Sequence, residues 1–496
     1  MSQSAPRTYG NWRQPTSPGL GRLGLAGTAV MFGGLLVIAL VMYLSWMLAV
    51  GLAVVLGIGM VPMLVTDRHG RNGLQWMTAR TAWSSGKSKG QHLYRSGPLG
   101  RIPVGTCRLP GLAAASTLHE AHDAYGRPFA ILSVPATNHH TVVLTCSADG
   151  ASLVDSDQID TWVAYWGHWL SQLAHEPRLV AASVTVEAAP DTGERLRREV
   201  EGNIAGDAPE LSKYVLREVV ETYPVGSAQL ATRVALTYSG AGVHAGGRKT
   251  AADMALELGT RVPGLANGLQ MTGAGPARPM GAEELAEAVR VAYDPSVAGL
   301  IEQARATGGS QLTWNEAGPI ASQESWDHYR HDGAFSITWS MSEAPRGEVY
   351  ANVLTRLVAP HADITRKRIT LLYRPHDAGT AARLVERDRK DALFRAQQGK
   401  MIQARDSAAV SAADQSAREE ATGAGLVRFG MLVTATVSNY EDLEVANAAI
   451  DNLSATARLQ LRRVYGSQAS AFAAALPLGL VLPNHLKVPQ QLREAM

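Results

Sequence analysis

From Leu23 to Thr66 the chain runs for 44 residues without an Asp, Glu, Lys, Arg or His. One membrane crossing needs about 20 apolar residues, so the run is about twice too long for a single helix. A hairpin of two helices fits it, Leu23–Met42 and Trp46–Val65, turning at Tyr43-Leu44-Ser45. Tyr43 and Trp46 fall at the turn, where aromatic rings favour the membrane–water interface. A cleaved signal peptide does not account for the run, because its apolar core spans only about 7–15 residues.

Charge sets the expected orientation. Residues 1–101 carry ten Lys or Arg and one acid, Asp67; the remainder holds 36 bases and 43 acids. Arg7, Arg13 and Arg22 precede the apolar run. Arg68, Arg71, Arg80, Lys87, Lys89, Arg95 and Arg101 follow it. Cations on both flanks and an uncharged turn predict that both termini and the body stay on the cytoplasmic side of the cell membrane. The acidic body also argues against coating nucleic acid, which needs clustered cations on the folded surface.

Directly after the hairpin, Trp76, Ala79 and Trp83 share a helical face with Arg80 beside them. Two readings fit: a helix lying on anionic lipid, or one docked on the body. The candidate membrane-interface residues are therefore Tyr43, Trp46, Arg68, Arg71, Trp76, Arg80, Trp83, Lys87 and Lys89.

The body reads as α/β (α+β), with split β-α-β units on mixed sheets. Strands are expected at 129–134, 141–146, 179–186, 229–238, 335–340, 366–373 and 427–437, and helices at 155–175, 194–203, 209–223, 250–261, 281–292, 349–358 and 439–457. Gly379–Thr422 has no proline and is dense in Ala, Arg, Glu, Asp and Gln, which predicts a long helix or a helical hairpin broken near Gly399. The expected units are a basic tail (1–22), the hairpin (23–66), a juxtamembrane helix and linker (67–105), and α/β domains at 106–310 and 311–496.

Tests for chemistry mostly fail. Gly86-Lys87-Ser88 lacks the earlier glycine of a phosphate-binding loop, since position 81 is Thr. His119, Glu120 and His122 have the wrong spacing for a zinc-protease helix; with His139 and His140 they read as surface histidines at a helix-to-strand connection. Cys107 and Cys146 read as reduced, small buried side chains. Gly240–Gly247 sits between a strand and a helix but does not follow the dinucleotide glycine pattern. No catalytic, cofactor or metal residues are assigned, and a nucleotide-responsive enzyme or sensor using Gly240–Gly247 is the minor alternative.

Two features carry a family resemblance. The basic-flanked hairpin resembles the small PrgI-type membrane subunit of conjugative (type IV) secretion systems. The closing order of strand 427–437, helix 439–457 and Phe472-Ala-Ala-Ala-Leu476-Pro477-Leu478-Gly479 resembles the motor-free amino-terminal half of conjugative-transfer ATPases. Together they resemble an actinobacterial fusion of the two. The resemblance implies a non-enzymatic scaffold that binds other secretion subunits, including a separate motor ATPase. The EccE-like component of type VII secretion systems is a rival with the same implied layout. Homo-oligomerisation is left open.

Overall fold

The computed structural model describes residues 7–10, 12, 24–65, 67, 72–100, 104–148, 150–151, 153–222, 228–242, 247–345, 347–398 and 404–486. Two apolar helices come first, α1 (Gly24–Met42) and α2 (Trp46–Leu64), followed by α3 (Gly73–Ser88) and a short strand β1 (Leu93–Arg95). Among the described residues, α2 is the helix long and apolar enough to cross a membrane; the preceding apolar stretch, Gly27–Met42, is shorter. The described helices and the turn follow the sequence-based expectation to within one residue, with α2 ending at Leu64 and Val65 extended. The end residues of the uncharged run, Leu23 and Thr66, lie outside the described residues.

The body consists of two halves whose elements follow the same order with one exception. The first comprises β2 (Thr117–His122), β3 (Pro128–Val134), β4 (His139–Cys146), α4 (Ser156–Leu173), β5 (Leu179–Pro190), α5 (Glu194–Asn203), α6 (Glu210–Thr222), β6 (Ala228–Ser239), α7 (Ala251–Gly259), α8 (Val262–Leu269), β7 (Ala277–Pro279) and α9 (Ala282–Tyr293). A connecting helix, α10 (Ala298–Ala306), leads to the second half. That half comprises β8 (Ala321–Glu324), β9 (Tyr329–His331), β10 (Ala334–Glu343), α11 (Thr355–Val358), β11 (Arg366–Pro375), α12 (Ala378–Gln398), α13 (Ala404–Ala421), β12 (Val427–Val437), α14 (Asp442–Thr456), β13 (Gln460–Arg463) and α15 (Gln468–Ala475). The exception is that the first half has two helices, α7 and α8, where the second has one, α14.

All these strands join one sheet in the order β1-β8-β9-β10-β12-β11-β5-β6-β4-β3-β2, with β13 on β10 and β7 on β4. From the β11–β5 junction outward, the order is the same in both directions. In each half a parallel pair joined through a helix (β4 and β5, β10 and β11) is split by a third strand, β6 or β12. A short last strand then extends the same edge of β4 or β10 that the preceding hairpin strand occupies.

Two expectations change. Every hydrogen-bonded pair is antiparallel, because the strand inserted in each split unit runs against both neighbours; the sheet is not mixed. The sheet also crosses the boundary expected at residue 310, since β5 pairs with β11 from Lys367↔Ala188 to Tyr373↔Ala182.

Strand alternation directs side chains to two faces. On one face, α9 and α15 share a core that includes Leu285, Val289, Phe472 and Leu476. On the other, α4, α7 and α8 cover the first half, and α11 and α14 cover the second. Gly379–Thr422 forms the hairpin alternative, α12 against α13, tied by Arg389 Nε to Asp414 Oδ1 at 2.7 Å; Gly399 lies outside the described residues. Because β5 and β11 are antiparallel, the arms α5/α6 and α12/α13 leave from opposite ends of the sheet.

Other expectations are also corrected. Only the last turn of the helix expected at 349–358 forms, because Val349 pairs with Tyr9 instead. His119 and His122 are exposed as expected, but with Glu120 they lie on edge strand β2 and not at a helix-to-strand connection, and Glu120 accepts a hydrogen bond from the Ala282 N–H at 2.8 Å. His139 and His140 are buried, since neighbouring positions on the interior strand β4 face opposite covered sides.

Candidate membrane interface

The α1–α2 turn closes with Leu44 and Ser45 N–H groups donating to the Val41 carbonyl at 2.9 Å each. Gly34 allows close packing: a Cβ there would meet the Leu56 side chain at 2.6 Å. Outside that contact the hairpin is largely bare, with Leu36, Leu40, Val55 and Ile58 exposed. Such a surface is unfavourable in water and suits a lipid environment. Tyr43 is 94% exposed at the tip, and Trp46, 67% exposed, starts α2.

The base of the hairpin is fastened to the second half of the body. The Gly73 N–H donates to the Val65 carbonyl at 3.0 Å, and a Cβ on Gly73 would meet the Pro62 oxygen at 2.9 Å. Asn72 caps α3 by accepting from the Gln75 N–H at 2.9 Å. Further along, Trp83 meets Trp326 edge-on at 5.5 Å, and Trp326 stacks on Tyr465 at 5.8 Å. The Arg80 guanidinium lies over the Trp326 ring at 4.7 Å, and the Lys87 ammonium lies 5.1 Å from the Trp83 ring. Cation–aromatic pairs of this kind are worth about 0.5–2 kcal/mol.

Trp83 and Arg80 thus meet the body at Trp326, whereas Lys87 is exposed and its ring contact is with Trp83 of its own helix. Trp76 is half-exposed and lines a cleft of about 630 Å³ with Trp339, Asp451 and Arg463. Lys89 follows the helix and is exposed. Arg68 and Arg71 lie outside the described residues.

The amino-terminal tail returns to the same body. Tyr9 and Val349 exchange two backbone hydrogen bonds of 2.8 Å, and the Tyr9 hydroxyl donates to Asp160 Oδ1 at 2.6 Å. Burial and the Asp160 carboxylate push the Tyr9 phenol up to about 12. One residue thus touches both halves, at α4 and at the segment before α11. Sequence reasoning missed this contact, because an isolated bridge carries no periodic signal.

Leu476, Pro477, Leu478 and Gly479 lie away from the anchor, in a strap across the shared inner core. Leu476 and Leu478 are buried, and the Thr237 hydroxyl donates to the Gly479 carbonyl at 3.0 Å. Gly479 has φ +63°, and a Cβ there would overlap the hydroxyls of Thr237 and Thr141.

The remaining candidates carry structural contacts. Gly86-Lys87-Ser88 forms the last turn of α3. In the Gly240–Gly247 loop, Gly242 N–H donates to the Gly247 carbonyl at 2.8 Å, and residues 243–246 lie outside the described residues. Cys107 and Cys146 are free thiols, and burial pushes the Cys146 thiol up to about 11. Among the described residues, no group of three or more His, Cys, Asp and Glu is placed to hold a metal ion.

A sequence family described as a domain of unknown function (DUF8461) matches residues 16–75, which contain both apolar helices. No curated protein matches the chain.

Proposed function

We propose that this chain is a membrane-anchored, non-enzymatic scaffold whose tail and body lie together on the cytoplasmic face. The observation that carries the reading is the Tyr9–Val349 pair. A tail before the apolar hairpin and a body after it can bond directly only if both are on one side of the bilayer. An even number of crossings satisfies this, and α1 and α2 supply two. The cationic flanks select the cytoplasmic side.

Within this reading, the subunit belongs to a conjugative or related secretion apparatus and docks a separate motor ATPase. Support comes from the resemblance of the hairpin and of the closing segment. We assign this docking contact to the two helical arms at opposite ends of the sheet. On one of them, α6, Leu211, Tyr214, Val215 and Val219 are exposed, at the spacing of a single helical face.

Cross-linking in native membranes, followed by purification of the full chain, tests the assignment. Cross-links from α6 or α12 to a motor ATPase are expected. Recovery of neither an ATPase nor a channel subunit would contradict it, and a type VII partner set would select the EccE-like version.

A further inference from the structure

At the junction of the halves, one buried carboxylate faces three guanidinium groups. Glu187 on β5 pairs with Arg366 and with Arg368 Nε at 3.4 Å on β11, and with Arg233 Nη1 at 3.4 Å on β6. Arg368 is 1% exposed, and the Glu187, Arg233 and Arg366 side chains are largely buried. Three cations against one anion leave two positive charges in excess, which a buried site tolerates poorly without compensation. The cations hold the Glu187 carboxyl far below its usual range, and burial and the other two guanidiniums pull Arg233 down.

Arg233 and Arg366 line a cleft of about 140 Å³ between the sheet and the helices α9 and α10. The Nε–H of each is buried and without a protein partner. Across the cleft, Arg305 pairs with Glu287 at 2.5 Å, and Glu302 accepts from the Thr192 hydroxyl. With these included, four arginines still outnumber three glutamates.

We propose that this cleft binds a phosphate-sized oxyanion bridging Arg233 of the first half and Arg366 of the second. Unused guanidinium donors and a local excess of cations are what recognise such an anion. The small volume and the carboxylates of Glu287 and Glu302 in the cleft wall disfavour a polyphosphate. Inorganic phosphate and the phosphate group of a small monoester share this chemistry. The site is independent of the membrane reading, because it lies wholly within the body.

Thermal melts of the solubilised full chain test it, with inorganic phosphate titrated against chloride at equal ionic strength. Phosphate should raise the melting temperature saturably, and chloride should not. Arg366→Gln should weaken phosphate binding about tenfold or more. Glu302→Gln, which removes an acid from the wall, should strengthen it. Tighter binding of glycerol phosphate would keep the site and assign a phosphorylated metabolite as its source. Indistinguishable phosphate and chloride curves would overturn the proposal. If Arg366→Gln fails to fold, unchanged affinity in Glu302→Gln would overturn it as well.

Discussion

Thr185 and Thr370 share a hydroxyl hydrogen bond of 3.2 Å across the β5–β11 pair, at the point where the strand orders of the two halves meet. Matching bonds flank it: Thr141 with Thr237 at 3.1 Å in the first half, and Ser336 with Thr436 at 2.7 Å in the second. The Thr370 proton goes to the Ala475 carbonyl at 2.7 Å, so Thr185 is the donor between the two threonines. Two of these hydroxyls tie the sheet to α15 and the strap, Thr370 to the Ala475 carbonyl and Thr237 to the Gly479 carbonyl.

Thr370→Val should therefore destabilise the body by about 1–2 kcal/mol, because the Ala475 carbonyl and Thr185 hydroxyl both lose a buried partner. Thr185→Val should cost less, since Thr370 keeps its bond to Ala475. Urea unfolding of the solubilised chain, followed by tryptophan fluorescence, ranks the two. Equal losses would contradict the assigned bond directions.

Gly479→Ala combines a left-handed backbone with a methyl group directed at two hydroxyls. A loss of about 2 kcal/mol or more is expected, read as a lower melting temperature. An unchanged melt would show that the strap is not seated on Thr141 and Thr237.

His331 gives the body an acid-sensitive point. It is fully buried, with Nδ1 at 2.5 Å from the Tyr293 carbonyl and Nε2 at 2.8 Å from the Ser336 hydroxyl, partners that suit a neutral ring. Burial lowers its pKa to about 4. As pH falls below 6.5 the unfolded chain takes up the proton first, so stability is lost between pH 6.5 and about 4, by up to about 3 kcal/mol. His331→Gln should flatten the dependence of unfolding free energy on pH over that window. The same acid slope in both chains would rule out this role.

Trp83→Ala should release α3 from Trp326 at a cost of about 1–2 kcal/mol. Amide hydrogen exchange should quicken across Gly73–Ser88 and stay unchanged in α14. Unaltered exchange in α3 would mean that the aromatic contact does not hold the neck.

Much of the fold was legible because its central strands carry apolar runs and its arms carry dense helix formers. The hairpin was readable from the missing charges alone, and Val427–Val437 was read to the residue. Edge strand β2 was not: Thr117–His122 is mostly polar and mostly exposed, so it offers little alternation. The single sheet was hidden because β5 and β11 lie far apart in sequence, and pairing between them leaves no local trace. The charge cluster had a signal that went unused. Arg366 and Arg368 alternate with Lys367 inside a strand, which places two guanidiniums on one covered face.

The central claim is that tail and body share one side of the membrane. Single cysteines at Trp12, Leu44 and Tyr440, in a chain with Cys107 and Cys146 replaced by serine and alanine, test it through a membrane-impermeant maleimide. In intact cells only the Leu44→Cys chain should be labelled, with positions 12 and 440 reacting after permeabilisation. Labelling of position 12 without 440, or of 440 without 12, would place tail and body on opposite faces and contradict the account.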